Sequence, residues 1–167
     1  MIYEFIACNQ KLPTFQEALE DEQMKSYNEL LALGLSEEQI AIRGVDLKGI
    51  DRDKKVFWIR LPDELLNSPL LVEKDSHNPY ARYLSDKKYV YKLSNVSSEI
   101  IPHVAYYLLK YANLWRELEI WRVIQDDYLI DMAEIPHRII PLHVLTLEDL
   151  EAFFDRPAPR KMTITQP

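Results

Sequence analysis

Glycine and cysteine are nearly absent from this chain, with three glycines and one cysteine in 167 residues. A phosphate-cradling loop needs several positions without a Cβ, so the shortage of glycine excludes P-loop, collagen-like and glycine-linker readings. Cys8 has no partner for an intrachain disulfide, which separates the chain from small secreted scaffolds and points to a cytoplasmic setting. Long apolar runs are missing as well, since no stretch approaches the roughly 20 residues of a membrane span. Residues 1–8 lack a basic start and are interrupted by Glu4, so they do not read as a signal peptide. No Gly-x-Ser-x-Gly elbow, His-Glu-x-x-His pair, Cys-x-x-Cys pair or dinucleotide fingerprint occurs. No cofactor is therefore expected, and the balance leans away from an enzyme without excluding one.

What is present is ordinary for a globular protein: 47% hydrophobic and 28% charged residues, enough to bury a core. The sign of the charge is more informative. A net charge of -7 sets the surface against nucleic acid and anionic membranes and in favour of a basic partner. The acid excess is uneven: residues 1–50 carry 4 basic and 9 acidic side chains, 51–100 carry 9 and 8, and 101–167 carry 7 and 10. An anionic ligand would accordingly favour the neighbourhood of Arg82, Lys87, Lys88 and Lys92.

Residues 2–8 are apolar on both alternating faces and read as a central strand. Thr14 with Glu17, and Ser36 with Gln39, have the spacing of helix-start boxes. Residues 22–33 read as a helix ended by Gly34. The runs 56–59, 70–72 and 89–91 read as strands, with 75–88 between the last two as a long loop. From Pro102 a helical stripe runs through Val104, Tyr107, Leu108 and Tyr111. Residues 117–124 alternate and are rich in strand formers, although Leu118 and Trp121 would also continue the preceding helix. Residues 137–145 read as an edge strand because Pro141 cannot donate to a ladder, and Thr146 opens a last helix. These elements predict an α+β fold: one globular domain over 1–155, a mixed or antiparallel sheet of about six strands with about four helices, and a loose tail over 156–167.

Candidate sites stand beside plainer readings. Asp75, His77 and Arg82 bring an acid, an imidazole and a guanidinium together on the 75–88 segment, either as a pocket or as a solvated turn. His103 falls on the polar side of its helix. His137 and His143 share a strand face but lack a third metal ligand, and the acids from Asp126 to Glu134 match no calcium loop, so no metal site is expected. Cys8 reads as a buried, inert thiol. Ten of the eighteen aromatics fall between Tyr80 and Tyr128, and eight of those are tyrosine, a residue suited to half-wet places such as interfaces and pocket walls.

The reading favoured by these features is an acidic protein-interaction module, of the kind an immunity protein or inhibitor represents, that occludes a basic partner. Asp126 and Asp127 would steer encounter while Tyr89, Tyr91 and Trp121 supply contact area. The alternative is a small-molecule binding domain or hydrolase with a tyrosine-lined pocket formed around Asp75, His77, Arg82 and His103 and a histidine as acid-base group. The expected state is a monomer or weak homodimer.

Overall fold

The structure, a computed structural model, describes residues 1–40, 49–60, 70–125 and 131–167. In chain order its elements are β1 (Ile2–Cys8), α1 (Phe15–Gln23), β2 (Met24–Lys25), α2 (Tyr27–Ala32), α3 (Glu37–Ile40), β3 (Phe57–Trp58), β4 (Leu71–Lys74), α4 (Pro79–Leu84), β5 (Tyr89–Ser94), α5 (Ile101–Lys110), β6 (Glu117–Ile124), β7 (His137–Pro141), α6 (Leu147–Asp155) and β8 (Arg160–Thr165). Single 3-10 turns occupy Ala112–Leu114, Met132–Glu134 and Leu142–Val144. The fold is α+β, as the sequence predicts. The chain divides into two compact units: a sheet unit of Met1–Phe15 with Pro69–Pro167, and a helical unit of Gln16–Ser68.

The sheet unit holds six strands in the order β4-β5-β1-β6-β8-β7. All pairs are antiparallel except β7 with β8. That exception has a local cause, because α6 connects the two strands and a helical crossover returns the chain in the same direction. β1 lies inside the sheet, and residues 117–124 are strand rather than a continuation of α5. One sheet face, with Ile6, Leu118, Ile120, Met162 and Ile164, packs with residues of α5 and α6. The other face, with Tyr3, Phe5, Ala7, Trp121 and Val123, packs with Ala81 and Leu84 of α4 and with Ile135.

Three expectations need correction here. The 75–88 segment is not an open loop but contains α4, which starts where the Asn78 side chain accepts from the amides of Tyr80 and Ala81 and Pro79 fills the first turn. Residues 156–167 are not a loose tail, because β8 sits between β6 and β7 with Met162, Thr163 and Ile164 buried. The edge strand ends at Pro141, after which the chain turns into a 3-10 segment.

In the helical unit the predicted 22–33 helix is interrupted. Met24 and Lys25 pair with Trp58 and Phe57, so the helix begins only at Tyr27, with Ser26 and Glu29 closing a capping box. Its stop is as read: Gly34 takes a φ of 91°, which a side chain would strain. Ser36 and Gln39 exchange the hydrogen bonds of a second box ahead of α3. Tyr27, Leu30, Ile40 and Phe57 form the unit's own small core.

Candidate functional site

The sequence-derived contact residues do not gather on a surface. Tyr91 and Trp121 are each only 1% exposed, so neither offers area to a partner, and Tyr89 is half-buried against the core. Asp126 and Asp127 lie outside the described residues. The tyrosines find their hydroxyl partners inside the sheet unit instead. The Tyr91 hydroxyl accepts from the Leu12 amide at 2.8 Å, Tyr107 donates to the Pro13 carbonyl at 2.6 Å, and Tyr80 donates to the Ile124 carbonyl at 2.7 Å. These bonds tie loops and helices to the sheet, which is what a phenol can do and a phenylalanine cannot.

The alternative pocket set is also dispersed in role. Arg82 donates to the carbonyls of Ser76 (2.7 Å) and Lys88 (2.7 Å) and also to that of Lys87, so its guanidinium is spent on closing the α4 loop. Asp75 takes the Tyr3 hydroxyl at 2.5 Å and the Asn78 amide at 3.0 Å, and burial together with this carboxylate holds the Tyr3 phenol protonated far above its ordinary value. His77 and His103 are both exposed. Burial pushes the Cys8 thiol up to about 11, consistent with an inert interior sulfur. Among the described residues, no group of three or more metal-ligating side chains converges.

Sequence reading missed a charged cluster within the sheet unit. Glu119 is 5% exposed, opposite Ala7, whose small side chain fits beside a carboxylate. Ser85 Oγ (2.7 Å) and Trp121 Nε1 (2.8 Å) donate to one Glu119 oxygen, and Lys161 Nζ lies 2.7 Å from the other. Lys161 also sits 4.8 Å over the Trp121 ring. Beside it, His137 Nε2 is 2.8 Å from Thr163 Oγ1. Burial and then the Lys161 charge hold His137 below its usual value, against the opposite pull of Glu119 and Glu117, so its neutral form prevails at neutral pH. The cluster is fully paired, and Glu119 acts as an interior anchor rather than a free acid. Its signal in the sequence is one charge inside the otherwise apolar run 118–121.

The helical unit presents the opposite case, an apolar group left outside. Strand alternation turns Phe57 into the core and Val56 and Trp58 outward, where they are 45% and 61% exposed. Trp58 pairs with Met24, two residues beyond the acidic run Glu20, Asp21 and Glu22. Those three acids occupy the last turn of α1, which contains no basic residue. A helix C-terminus carries partial negative charge, so this placement is locally unfavourable by a few tenths of a kcal/mol per acid. Lys55 relieves it in part at 2.6 Å from Asp21, and Lys25 at 3.8 Å from Glu22. Residues 16–68 carry 12 acidic and 7 basic side chains, so this unit holds most of the chain's excess acid. Comparison of the chain with protein families, curated proteins and solved structures finds no match.

Proposed function

We propose that the chain is an acidic protein-interaction module, of the inhibitor or immunity type, whose docking face lies on the helical unit and occludes a basic partner. The observation that carries this reading is Trp58, a 61% exposed tryptophan beside an acidic helix end. An exposed indole loses more water on docking than any other side chain, and tryptophan is among the residues that dominate interface energetics. The neighbouring acids steer a basic partner and set its orientation, a role that also explains why they persist where the helix dipole disfavours them. The face therefore pairs an anchor with a steering charge, and blocking the partner's surface requires no catalytic group here.

The test is capture of source-cell proteins on the immobilised chain at low and moderate salt, run in parallel on Trp58→Ala and on a Glu20→Lys, Asp21→Lys variant. A basic protein retained in near one-to-one ratio by the wild type should be weakened about tenfold or more by Trp58→Ala. It should also lose affinity as salt rises, and lose that salt dependence in the charge-reversed variant. Equal retention by all three chains overturns the reading.

A further inference from the structure

A pocket of about 260 Å³ in the sheet unit reverses the sign of the chain. It opens where the parallel strands β7 and β8 begin, and its charged lining is Arg138, Arg156, Arg160, Lys161 and the single acid Asp149. Two of these cations are already committed: Arg138 is 2.6 Å from Asp149, and Lys161 is 2.7 Å from the buried Glu119. Arg156 and Arg160 are not. Among the described residues neither has a carboxylate within ion-pair distance, and the only side-chain bond of Arg160 runs from Nε to the Pro157 carbonyl at 2.9 Å. Arg122 approaches the same turn, donating to the Arg156 carbonyl, while its own counter-charge is Glu4 at 2.9 Å. The attraction of a helix C-terminus accounts for a cation at Arg156, which caps α6. It does not account for Arg160, which lies within electrostatic range of Arg156 and has no acid of its own, an arrangement of like charges that an anion would relieve.

We propose that this pocket binds a small phosphate monoester, with Arg156 and Arg160 holding the phosphate and the apolar lining receiving a compact planar or apolar body. Two guanidiniums without counter-charge match a group carrying about -1.5 to -2 charges at neutral pH, and their fork geometry suits its oxygens. Pro136 and Ala152, with Phe153, supply the apolar wall. His137, also in the lining and held neutral, leaves the pocket able to accept or donate one further hydrogen bond without adding charge. Burial, and then the charges of Arg156 and Arg122, press the Arg160 guanidinium below its usual value.

Phenyl phosphate is the probe, titrated calorimetrically at constant ionic strength against inorganic phosphate and benzoate. The wild type should bind phenyl phosphate at least tenfold more tightly than either control. The double variant Arg156→Ala, Arg160→Ala should lose tenfold or more of that affinity, and Arg160→Lys a smaller part. Melting of each variant without ligand reports its folding, and if the double variant melts early, the exposed Arg156→Ala alone carries the comparison. Undiminished binding by folded arginine variants overturns the proposal. So does inorganic phosphate equalling phenyl phosphate, which would leave the apolar wall without a role, or a phosphoserine peptide binding more tightly than both, which would make the ligand a protein.

Discussion

At the scale of single residues, the chain spends its chemistry on internal pairing. Glu119, Ser85, Trp121 and Lys161 form one closed set, and Tyr3, Asp75 and Asn78 form another. A half-satisfied version of either would be worse than an apolar substitute, since a buried polar group stripped of its partner keeps the desolvation penalty and loses the bond. His137 makes this visible in solution. Its folded-state pKa lies below the ordinary value of 6.5, so the unfolded chain binds the proton more readily. The associated stability is full above that value and is lost as pH falls through the folded one. Urea unfolding between about pH 7 and pH 5 should accordingly show a steeper loss in the wild type than in His137→Gln, and parallel curves would rule the linkage out.

At the scale of elements, starts and stops are decided by short polar side chains. Thr146 and Asp149 close a capping box at α6, Ser26 and Glu29 one at α2, and Asn78 caps α4 while its amide supports Asp75. Because Asn78 serves both the helix start and the Tyr3 network, Asn78→Ala should lower stability by about 1–2 kcal/mol, more than Thr146→Ala at about 1 kcal/mol. Midpoints of denaturant unfolding measure both, and an Asn78→Ala midpoint equal to that of the wild type would show the cap to be dispensable. The same scale explains the misread segments. A helical stripe over residues 22–33 is locally consistent, but β3 supplies a partner for Met24 and Lys25, and strand pairing displaces the first turns of the stripe. In 75–88 an Asn-Pro pair suits a turn as well as a helix start, and a six-residue helix has too short a period to stand out from a turn.

At the scale of the whole molecule, the last strand shows what a local reading misses. β8 pairs with β6 on one side and β7 on the other, so without it Leu118, Ile120 and Ile140 lose their neighbours Ile164 and Met162. A chain ending at residue 159 should therefore lose its cooperative unfolding transition and its near-ultraviolet circular dichroism. A truncated chain that melts like the full one would mean that β8 is peripheral. The two proposed sites also belong to this scale. Trp58 stands outside because Phe57 takes the core position of its strand. The arginine pocket exists because a parallel crossover brings the starts of β7 and β8 to the end of α6.

By itself the sequence determined the α+β class, the inner strand β1, the strand nature of 117–124, the α5 stripe, and the caps at Ser36 and Thr146, because each is set by neighbours within a few positions. Alternation, helical spacing and a hydroxyl three residues from an amide are all local quantities. Only the tertiary structure decided that Tyr91 and Trp121 lie inside, that Glu119 has three donors, that β8 is an inner strand, and that Arg156 and Arg160 line one pocket. Burial and charge pairing depend on which distant strand arrives alongside, and that is a property of the assembled sheet rather than of any segment in it.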